Sequence, residues 1–102
     1  MKGFRLSKAA ENDLRRIWRD TKDTWGEAQA EHYLRALDEC FHLLGRYPGM
    51  GTACDEVKPG YRCFPKGEHH IYYRSGNPGV FIARIRPQVM VPRKEMLGEG
   101  RE

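Results

Sequence analysis

The chain has 102 residues, of which 39% are hydrophobic and 31% charged, and its formal net charge is +4. This length predicts a single domain over residues 1–102 with a modest core, and we expect the tail from about residue 97 to fray. No apolar run is long enough to span a membrane. The N-terminal stretch MKGFRLSKAA lacks the apolar centre of a secretory signal, so we expect a cytoplasmic protein.

The positive charge is unevenly distributed along the chain. Residues 1–60 contain ten Lys/Arg and ten Asp/Glu, whereas residues 61–102 contain eight Lys/Arg and four Asp/Glu. The whole excess therefore lies in the second half, which predicts a basic surface for an acidic partner. Nucleic acid, a nucleic-acid enzyme and an acidic protein all remain open as that partner.

Metal and cofactor motifs are not evident. The cysteines lack C-x-x-C spacing and are typical of small buried side chains in a reducing compartment; they are Cys40, Cys54 and Cys63. The four histidines show no ligand spacing, and the sequence has no glycine-rich phosphate loop. We therefore expect neither a metal site nor a cofactor.

The first half predicts a short strand and two helices. Gly3–Leu6 favours a strand whose neighbour the pattern does not identify, and Ser7 is a candidate N-cap. An apolar stripe with helical spacing predicts a first helix that ends near Asp23 or Thr24, with Thr24 as a candidate cap for the next. The second helix is predicted from Glu27 to Leu44, with Gly45 at a left-handed C′ position.

Two tryptophans accompany the predicted hairpin. Trp18 and Trp25 are expected to pack within it, and a binding role is the alternative. A loop is predicted from Tyr47 to Pro59, long enough to be functional.

The second half predicts an antiparallel meander. Its strands are Tyr61–Phe64, His69–Arg74 and Val80–Arg86, joined by two tight turns. Regular alternation on the last strand places Phe81, Ala83 and Ile85 on one face and Val80, Ile82, Arg84 and Arg86 on the other. A sheet with one wet face would display its arginines together, namely Arg62, Arg74, Arg84 and Arg86; the alternative is that these are ordinary solvated strand residues.

These elements predict an α+β fold. An N-terminal strand and an antiparallel two-helix hairpin pack on an antiparallel three-stranded meander, because the meander offers the only large apolar surface for the helices.

The run LSKAAENDLRRIWRDTKDTWGEAQAEHYL, continued through PGM, CDEVKPGYRCFPKGEHH and IYYR, resembles the ParE branch of the RelE/ParE toxin superfamily. The matching pieces include Asp13-Leu14, Ile17-Trp18, Trp25-Gly26-Glu27-Ala28, Phe64-Pro65 and Tyr73-Arg74. The resemblance covers about residues 4–86, in order and with few spacing changes.

The resemblance implies the toxin of a bacterial type II toxin–antitoxin module. Such a toxin is neutralised by a ParD-like antitoxin whose disordered segment folds on binding, and it meets operator DNA only through the antitoxin. ParE-type toxins are taken to inhibit DNA gyrase, whereas RelE-type toxins cut mRNA on the ribosome. The residues expected to bind the antitoxin are Trp18, Trp25, Tyr33, Arg62, Tyr73 and Arg74. The residues expected to bind the target are Arg84, Arg86, Met90, Arg93 and Lys94.

The sequence departs from the ParE pattern after Ile85. Met90 is kept, but Pro87, Val89 and Val91 occupy the places of the usual His, Arg and Asp. Because this segment is linked to toxicity in the family, an attenuated toxin that acts mainly as an antitoxin-bound corepressor stays an alternative.

Catalysis is not expected. RNA cleavage needs a general base, a general acid and cations for the phosphate. The arginines supply cations, but no convincing acid–base pair accompanies them, and no His or Tyr follows Tyr73. We therefore predict no catalytic residue, with a RelE-type endonuclease as the alternative.

Overall fold

In a computed structural model, the protein is a five-stranded sheet with a helical hairpin on one face. The structure describes residues 3–76 and 79–88. The elements in chain order are β1 (Phe4–Leu6), α1 (Lys8–Trp25), α2 (Glu27–Arg46), a 3₁₀ turn (Pro48–Met50), β2 (Thr52–Ala53), β3 (Tyr61–Lys66), β4 (His69–Ser75) and β5 (Val80–Pro87). The predicted α+β fold is confirmed, with β3, β4 and β5 as its antiparallel meander.

The N-terminal strand lies at one edge of the sheet. The strand order is β1-β5-β4-β3-β2, and β1 runs parallel to β5, with Phe4 opposite Val80. Ser7 ends this strand and begins α1, because its Oγ accepts from the Ala10 N–H at 2.9 Å and donates to the Ala83 carbonyl at 2.7 Å. The predicted N-cap is confirmed, and the neighbour of the first strand is β5.

The two helices join through one residue, Gly26, whose φ of 96° is a left-handed conformation that glycine adopts without strain. α1 therefore runs through Thr24 to Trp25, and the prediction that Thr24 caps α2 is wrong. Gly45 is likewise inside α2 and not at its C′ position. Its lack of a side chain serves packing instead, since a Cβ there would lie 2.3 Å from the Gly3 carbonyl oxygen.

The main core lies between the hairpin and the sheet. Its buried side chains come from β1, both helices, β4 and β5; they are Phe4, Ala10, Ile17, Leu37, Cys40, Phe41, Leu44, Ile71, Tyr73, Val80, Ile82 and Ile85. Trp18 is half-buried, whereas Trp25 is 69% exposed. The prediction that Trp25 packs within the hairpin is therefore wrong, because α1 extends to this residue and leaves it at the tip.

The far face of the sheet carries a second apolar cluster, so it is not simply wet. The cluster is covered by the loop after β2 and consists of Cys54, Val57, Tyr61, Tyr72, Phe81 and Ala83. A bulge accounts for the rest of the facing pattern: Tyr72 pairs with Arg84 but Tyr73 pairs with Ile82, which skips Ala83. The extra residue shifts the alternation, so Ile85 joins the helix-facing core and its predicted grouping with Phe81 is wrong.

Two sheet boundaries also differ from the prediction. The predicted loop from Tyr47 to Pro59 contains β2. This strand lies beside β3 and is the fifth strand of the sheet. The first turn of the meander is only Gly67 and Glu68, because β3 continues to Lys66. Pro65 is tolerated there since it lies beyond the stretch that pairs with β2.

Candidate interaction site

Asp13 joins α1 to β5 through a buried carboxylate that is 1% exposed. Its Oδ2 accepts from Arg84 Nε at 2.8 Å and from the Ile85 N–H at 3.0 Å, and its Oδ1 accepts from Arg84 Nη2 at 2.9 Å. Two parallel bonds from one guanidinium to one carboxylate are a strong, orienting arrangement. The Asp13 side chain therefore fixes the Arg84 side chain on the sheet.

Two more arginines approach the same carboxylate. Arg16 Nη1 lies 3.3 Å and Arg86 Nη1 lies 3.6 Å from Asp13 Oδ1. We call Asp13, Arg16, Arg84 and Arg86 the Asp13 cluster; it contains one anion and three cations. Burial lowers the pKa of the Arg86 guanidinium from its ordinary value, and the neighbouring positive charge of Arg84 lowers it further.

The topology explains why a carboxylate is buried here. β1 pairs with β5 only as far as Ile82, so the β5 residues that follow have no strand on that side. The Ile85 N–H would lack an acceptor, and the Asp13 carboxylate supplies one. Asp13 reaches it because it shares the buried stripe of α1 with Ala10 and Ile17.

Two of the five residues predicted to bind a target lie in the Asp13 cluster. The Arg84 and Arg86 side chains are brought together there, with 19% and 18% of their surface exposed. The other three predicted target residues, Met90, Arg93 and Lys94, lie outside the described residues, as does the tail expected to fray.

Five of the six residues predicted to bind an antitoxin are distributed over three places, and Trp18 lies outside all of them. Arg62 and Tyr73 anchor the segment before β2: Arg62 Nη1 donates to the Gly51 carbonyl at 2.6 Å, and Tyr73 OH donates to the Pro48 carbonyl at 2.7 Å. Tyr73 is 1% exposed. Arg74 lies on the opposite face of the sheet, since facing residues of neighbouring strands share a side and its partner is Tyr61.

Arg62 pairs with Tyr73, which faces the helices. The prediction that the four strand arginines share one wet face is therefore wrong for Arg62.

A groove of about 910 Å³ lies between the hairpin tip and the β3–β4 turn. The remaining predicted residues of the set, Trp25 and Tyr33, line it, while Trp18 lies outside its lining. The side chains and backbone that form the groove come from both helices and the turn; they are Ile17, Asp20, Thr21, Thr24, Trp25, Gln29, Tyr33, Gly67, Glu68 and His69. Its mixed apolar and polar lining, with an exposed tryptophan, suits a peptide segment.

Tyr33 ties α2 to the turn at the floor of this groove. Its hydroxyl lies 2.6 Å from His69 Nδ1 and 3.2 Å from the Lys66 carbonyl, either of which can accept its proton, and it accepts from the Glu68 N–H at 3.0 Å. The contact is close because Gly67 has no side chain: a Cβ there would lie 2.4 Å from Tyr33 Cε1. Burial raises the pKa of Tyr33 and lowers that of His69.

The groove is poorly suited to phosphate chemistry. A tyrosine and a histidine are acid–base groups, but the described lining adds the carboxylates of Asp20 and Glu68 and no arginine or lysine. Carboxylates repel a phosphodiester, and no lining cation offsets them. Among residues 3–76 and 79–88, no group of three or more His, Cys, Asp or Glu side chains could hold a metal ion.

Neither helix of the described chain is long and apolar enough to cross a membrane.

Known proteins resemble this chain over most of its length. A sequence model for the "ParE toxin of type II toxin-antitoxin system, parDE" matches residues 4–92. The protein called Toxin ParE1 of Mycobacterium tuberculosis is 41% identical over 88 residues, which cover 85% of this chain and 90% of that protein. This chain belongs to the ParE toxin family. The predicted resemblance is therefore confirmed.

Two further ParE proteins and one solved structure agree with this assignment. Toxin ParE1 of Caulobacter vibrioides is 36% identical over 96 residues, covering 94% of this chain and 99% of that one. Toxin ParE of Escherichia coli is 33% identical over 92 residues, covering 87% and 88%. A structure titled "Chromosomal ParDE TA system from P. aeruginosa" has a TM-score of 0.71 at 19% identity, covering 85% of this chain and 96% of that one. It shows that the ParE fold is shared.

Two contacts of this ParE chain were not predicted, and the sequence contained a signal for one of them. Asp13 is an acid on an otherwise apolar stripe between Ala10 and Ile17, a position that requires a buried partner. No local pattern indicated the pairing of Tyr33 with His69, because the two residues lie 36 positions apart. Only the assignment of Tyr33 to a helix and His69 to a strand was available.

Proposed function

We propose that this protein is the toxin of a type II toxin–antitoxin module, neutralised in the cytoplasm by a ParD-like antitoxin and acting by inhibiting DNA gyrase. The observation that carries the proposal is the similarity to three named ParE toxins over at least 85% of the chain. In this proposal the protein meets operator DNA only through the antitoxin, and it makes or breaks no covalent bond.

Exposed apolar side chains support the proposal that the protein binds an antitoxin. Trp25 is 69% exposed beside the groove, and Leu43, Tyr47 and Met50 are exposed around the end of α2. Burying exposed aromatic and aliphatic side chains is how a disordered partner gains affinity when it folds on a surface. The proposed contact residues are Trp18, Trp25, Tyr33, Arg62, Tyr73 and Arg74. Tyr73 would act through the segment that it anchors, because it is buried.

Target binding is proposed for Arg84, Arg86, Met90, Arg93 and Lys94. The Asp13 cluster holds the first two near the end of β5, and its three cations around one anion leave a positive excess there. Such a field would steer the protein toward an acidic partner such as gyrase with bound DNA. Pro87, Val89 and Val91 depart from the ParE pattern in this region, so the target is tested separately from the antitoxin.

The test has two arms. Co-expression with the product of the neighbouring gene should yield a stable heteromeric complex and restore growth. The purified protein should inhibit supercoiling by gyrase and leave a ribosome translation assay unaffected. Translation arrest with cleaved mRNA would contradict the gyrase arm and favour a RelE-type nuclease. Normal growth on induction, combined with operator binding of the complex, would favour the corepressor.

A further inference from the structure

Charged and aromatic side chains alternate across four neighbouring strands on the face of the sheet away from the helices. Arg5 of β1 is opposite Phe81 of β5, Phe81 is opposite Arg74 of β4, and Arg74 is opposite Tyr61 of β3. Lys58, from the loop before β3, lies over the Tyr61 ring. We call Arg5, Arg74 and Lys58, with these two rings, the cationic row.

The cations of the row cover the aromatic rings. Arg5 Cζ and Arg74 Cζ each lie 4.4 Å from the centroid of Phe81, and Lys58 Nζ lies 5.8 Å from that of Tyr61. Both rings are 1% exposed. Contacts of a cation with a ring face are attractive and restrict the side chain. The guanidinium groups are therefore held in place before any ligand arrives.

A row of this kind fits carboxylates better than nucleic-acid bases. Single-stranded nucleic acid is held by stacking its bases on open aromatic faces, and here those faces are occupied. A guanidinium stacked on a ring still presents its N–H edge, which matches a carboxylate. Restricting the arginines beforehand lowers the entropy lost on binding.

The spacing of the row suggests the shape of the ligand. The Arg5 and Arg74 Cζ atoms each lie 4.4 Å from the same Phe81 centroid, so the two guanidinium groups are at most about 9 Å apart. An extended peptide advances about 3.3 Å per residue and points alternate side chains to the same side, so carboxylates two residues apart, about 7 Å, would meet the two guanidinium groups. At the other end, Asp55 and Glu56 lie in the same loop as Lys58, which makes Arg5 and Arg74 the main anchors.

We propose that the cationic row binds an acidic, extended segment of the antitoxin that crosses the sheet with carboxylates near Arg5 and Arg74. This inference rests on the proposed function, because it takes the antitoxin as the partner. It assigns Arg5 and Lys58, which the sequence did not indicate, to the same interface as Arg74.

The experiment measures the dissociation constant of the complex between this protein and the product of the neighbouring gene. The variant Arg5→Gln/Arg74→Gln is compared with Arg19→Gln/Arg35→Gln, which removes the same charge from exposed positions on the two helices. We expect the first variant to bind about tenfold more weakly, since two partly exposed charge pairs are lost, with a weaker dependence on salt. The control should stay within about twofold of the wild type.

Each other outcome overturns the inference. Equal affinities of the two variants would show that the cationic row does not contribute to antitoxin binding. The antitoxin complex, and with it the proposed function, would be unaffected. No complex with the wild-type protein would overturn both. If a twelve-residue oligothymidine binds and only the row variant loses it, while the antitoxin still binds, the row is a nucleic-acid site. Should Arg5→Gln/Arg74→Gln not fold by circular dichroism, Arg5→Gln compared with Arg35→Gln gives the comparison at one of the two main anchors.

Discussion

At the scale of single residues, the Asp13 carboxylate is a buried charge whose stability depends on its hydrogen-bond partners. It is 1% exposed and accepts hydrogen bonds from one backbone N–H and from arginine side chains. A buried ion pair adds little stability compared with apolar packing, but removing one partner costs several kcal/mol, because the other charge is left uncompensated. Asp13 is therefore a residue whose substitution tests the geometry directly.

We expect Asp13→Asn to lower the free energy of unfolding by about 3 kcal/mol. The amide cannot accept both Arg84 bonds and also offset the positive charge of the cluster. Urea unfolding measures this loss. Asp38→Asn is the matched control: Asp38 is 59% exposed and pairs with His42 at 3.5 Å, so it should change stability by less than about 0.5 kcal/mol. Equal losses for the two variants would show that Asp13 is not the buried acceptor described here.

His69 predicts a pH dependence of stability. Burial lowers the pKa of His69 in the folded state below its ordinary value, so the unfolded chain binds a proton more readily. Stability is then complete above the unfolded pKa of about 6.5 and is lost as the pH falls through that value toward the folded pKa. The urea midpoint should fall between pH 7.5 and 5.5, and less so in His69→Gln. A control variant, His32→Gln on the exposed side of α2, should retain the full dependence.

At the scale of secondary-structure elements, one close contact sets how α2 meets β1. Gly45 and Gly3 approach so closely that a Cβ on Gly45 would lie 2.3 Å from the Gly3 carbonyl oxygen and 2.9 Å from its Cα. Both neighbours are backbone atoms, so they can move only if β1 moves. The small residues therefore allow the helix to lie directly against the edge strand.

Gly45→Ala should destabilise the protein by about 1–2 kcal/mol, for two opposing reasons. Alanine favours a helix interior by about 1 kcal/mol, but overpacking against backbone costs about 1–3 kcal/mol, and here the overpacking is severe. Gly49→Ala is the control, because a Cβ on Gly49 would have no atom within 4 Å. Thermal unfolding compares the two; a gain in stability for Gly45→Ala would contradict the described contact.

The elements were largely predictable from the sequence, and their contacts were not. Hydrophobic periodicity and turn residues identified both helices and the meander, and Ser7 was recognisable as a cap. The bulge at Ala83 was not predictable, because it depends on how Tyr72 and Tyr73 pair across the sheet. Gly45 was misassigned because a glycine near a helix end has two physical uses, a left-handed turn and a close approach, and the sequence does not distinguish them.

At the scale of the whole molecule, the charges divide between internal and external roles. Arg84 and Arg86 are engaged by Asp13, Arg62 holds the Gly51 carbonyl, and Arg5 and Arg74 cover Phe81. Much of the positive excess thus contributes to the fold as well as to any partner. Substituting Arg84 or Arg86, which the buried Asp13 carboxylate engages, would confuse folding with target binding, so removal of the C-terminal segment is a cleaner way to separate toxicity from neutralisation.

A chain that ends at Gln88 should lose toxicity and still bind the antitoxin. Gln88 is the last described residue, and its backbone N–H and side chain bond the Glu68 and Gly67 carbonyls at 3.0 and 2.8 Å, so the truncated sheet retains these contacts. The removed residues include the proposed target residues Met90, Arg93 and Lys94. Colony counts on induction and co-purification with the antitoxin measure the two activities. Persistent toxicity would place the target surface elsewhere.

The parallel pairing of β1 with β5 has a consequence for the nascent chain. Ser7 and Ala83 form a hydrogen bond although they lie 76 positions apart, so β1 must wait for the synthesis of β5 before it can pair. At about 5–20 residues per second, that wait lasts on the order of 4–15 seconds. The β5 edge of the sheet therefore closes only after that interval, so we expect the folded protein to form late in its own synthesis.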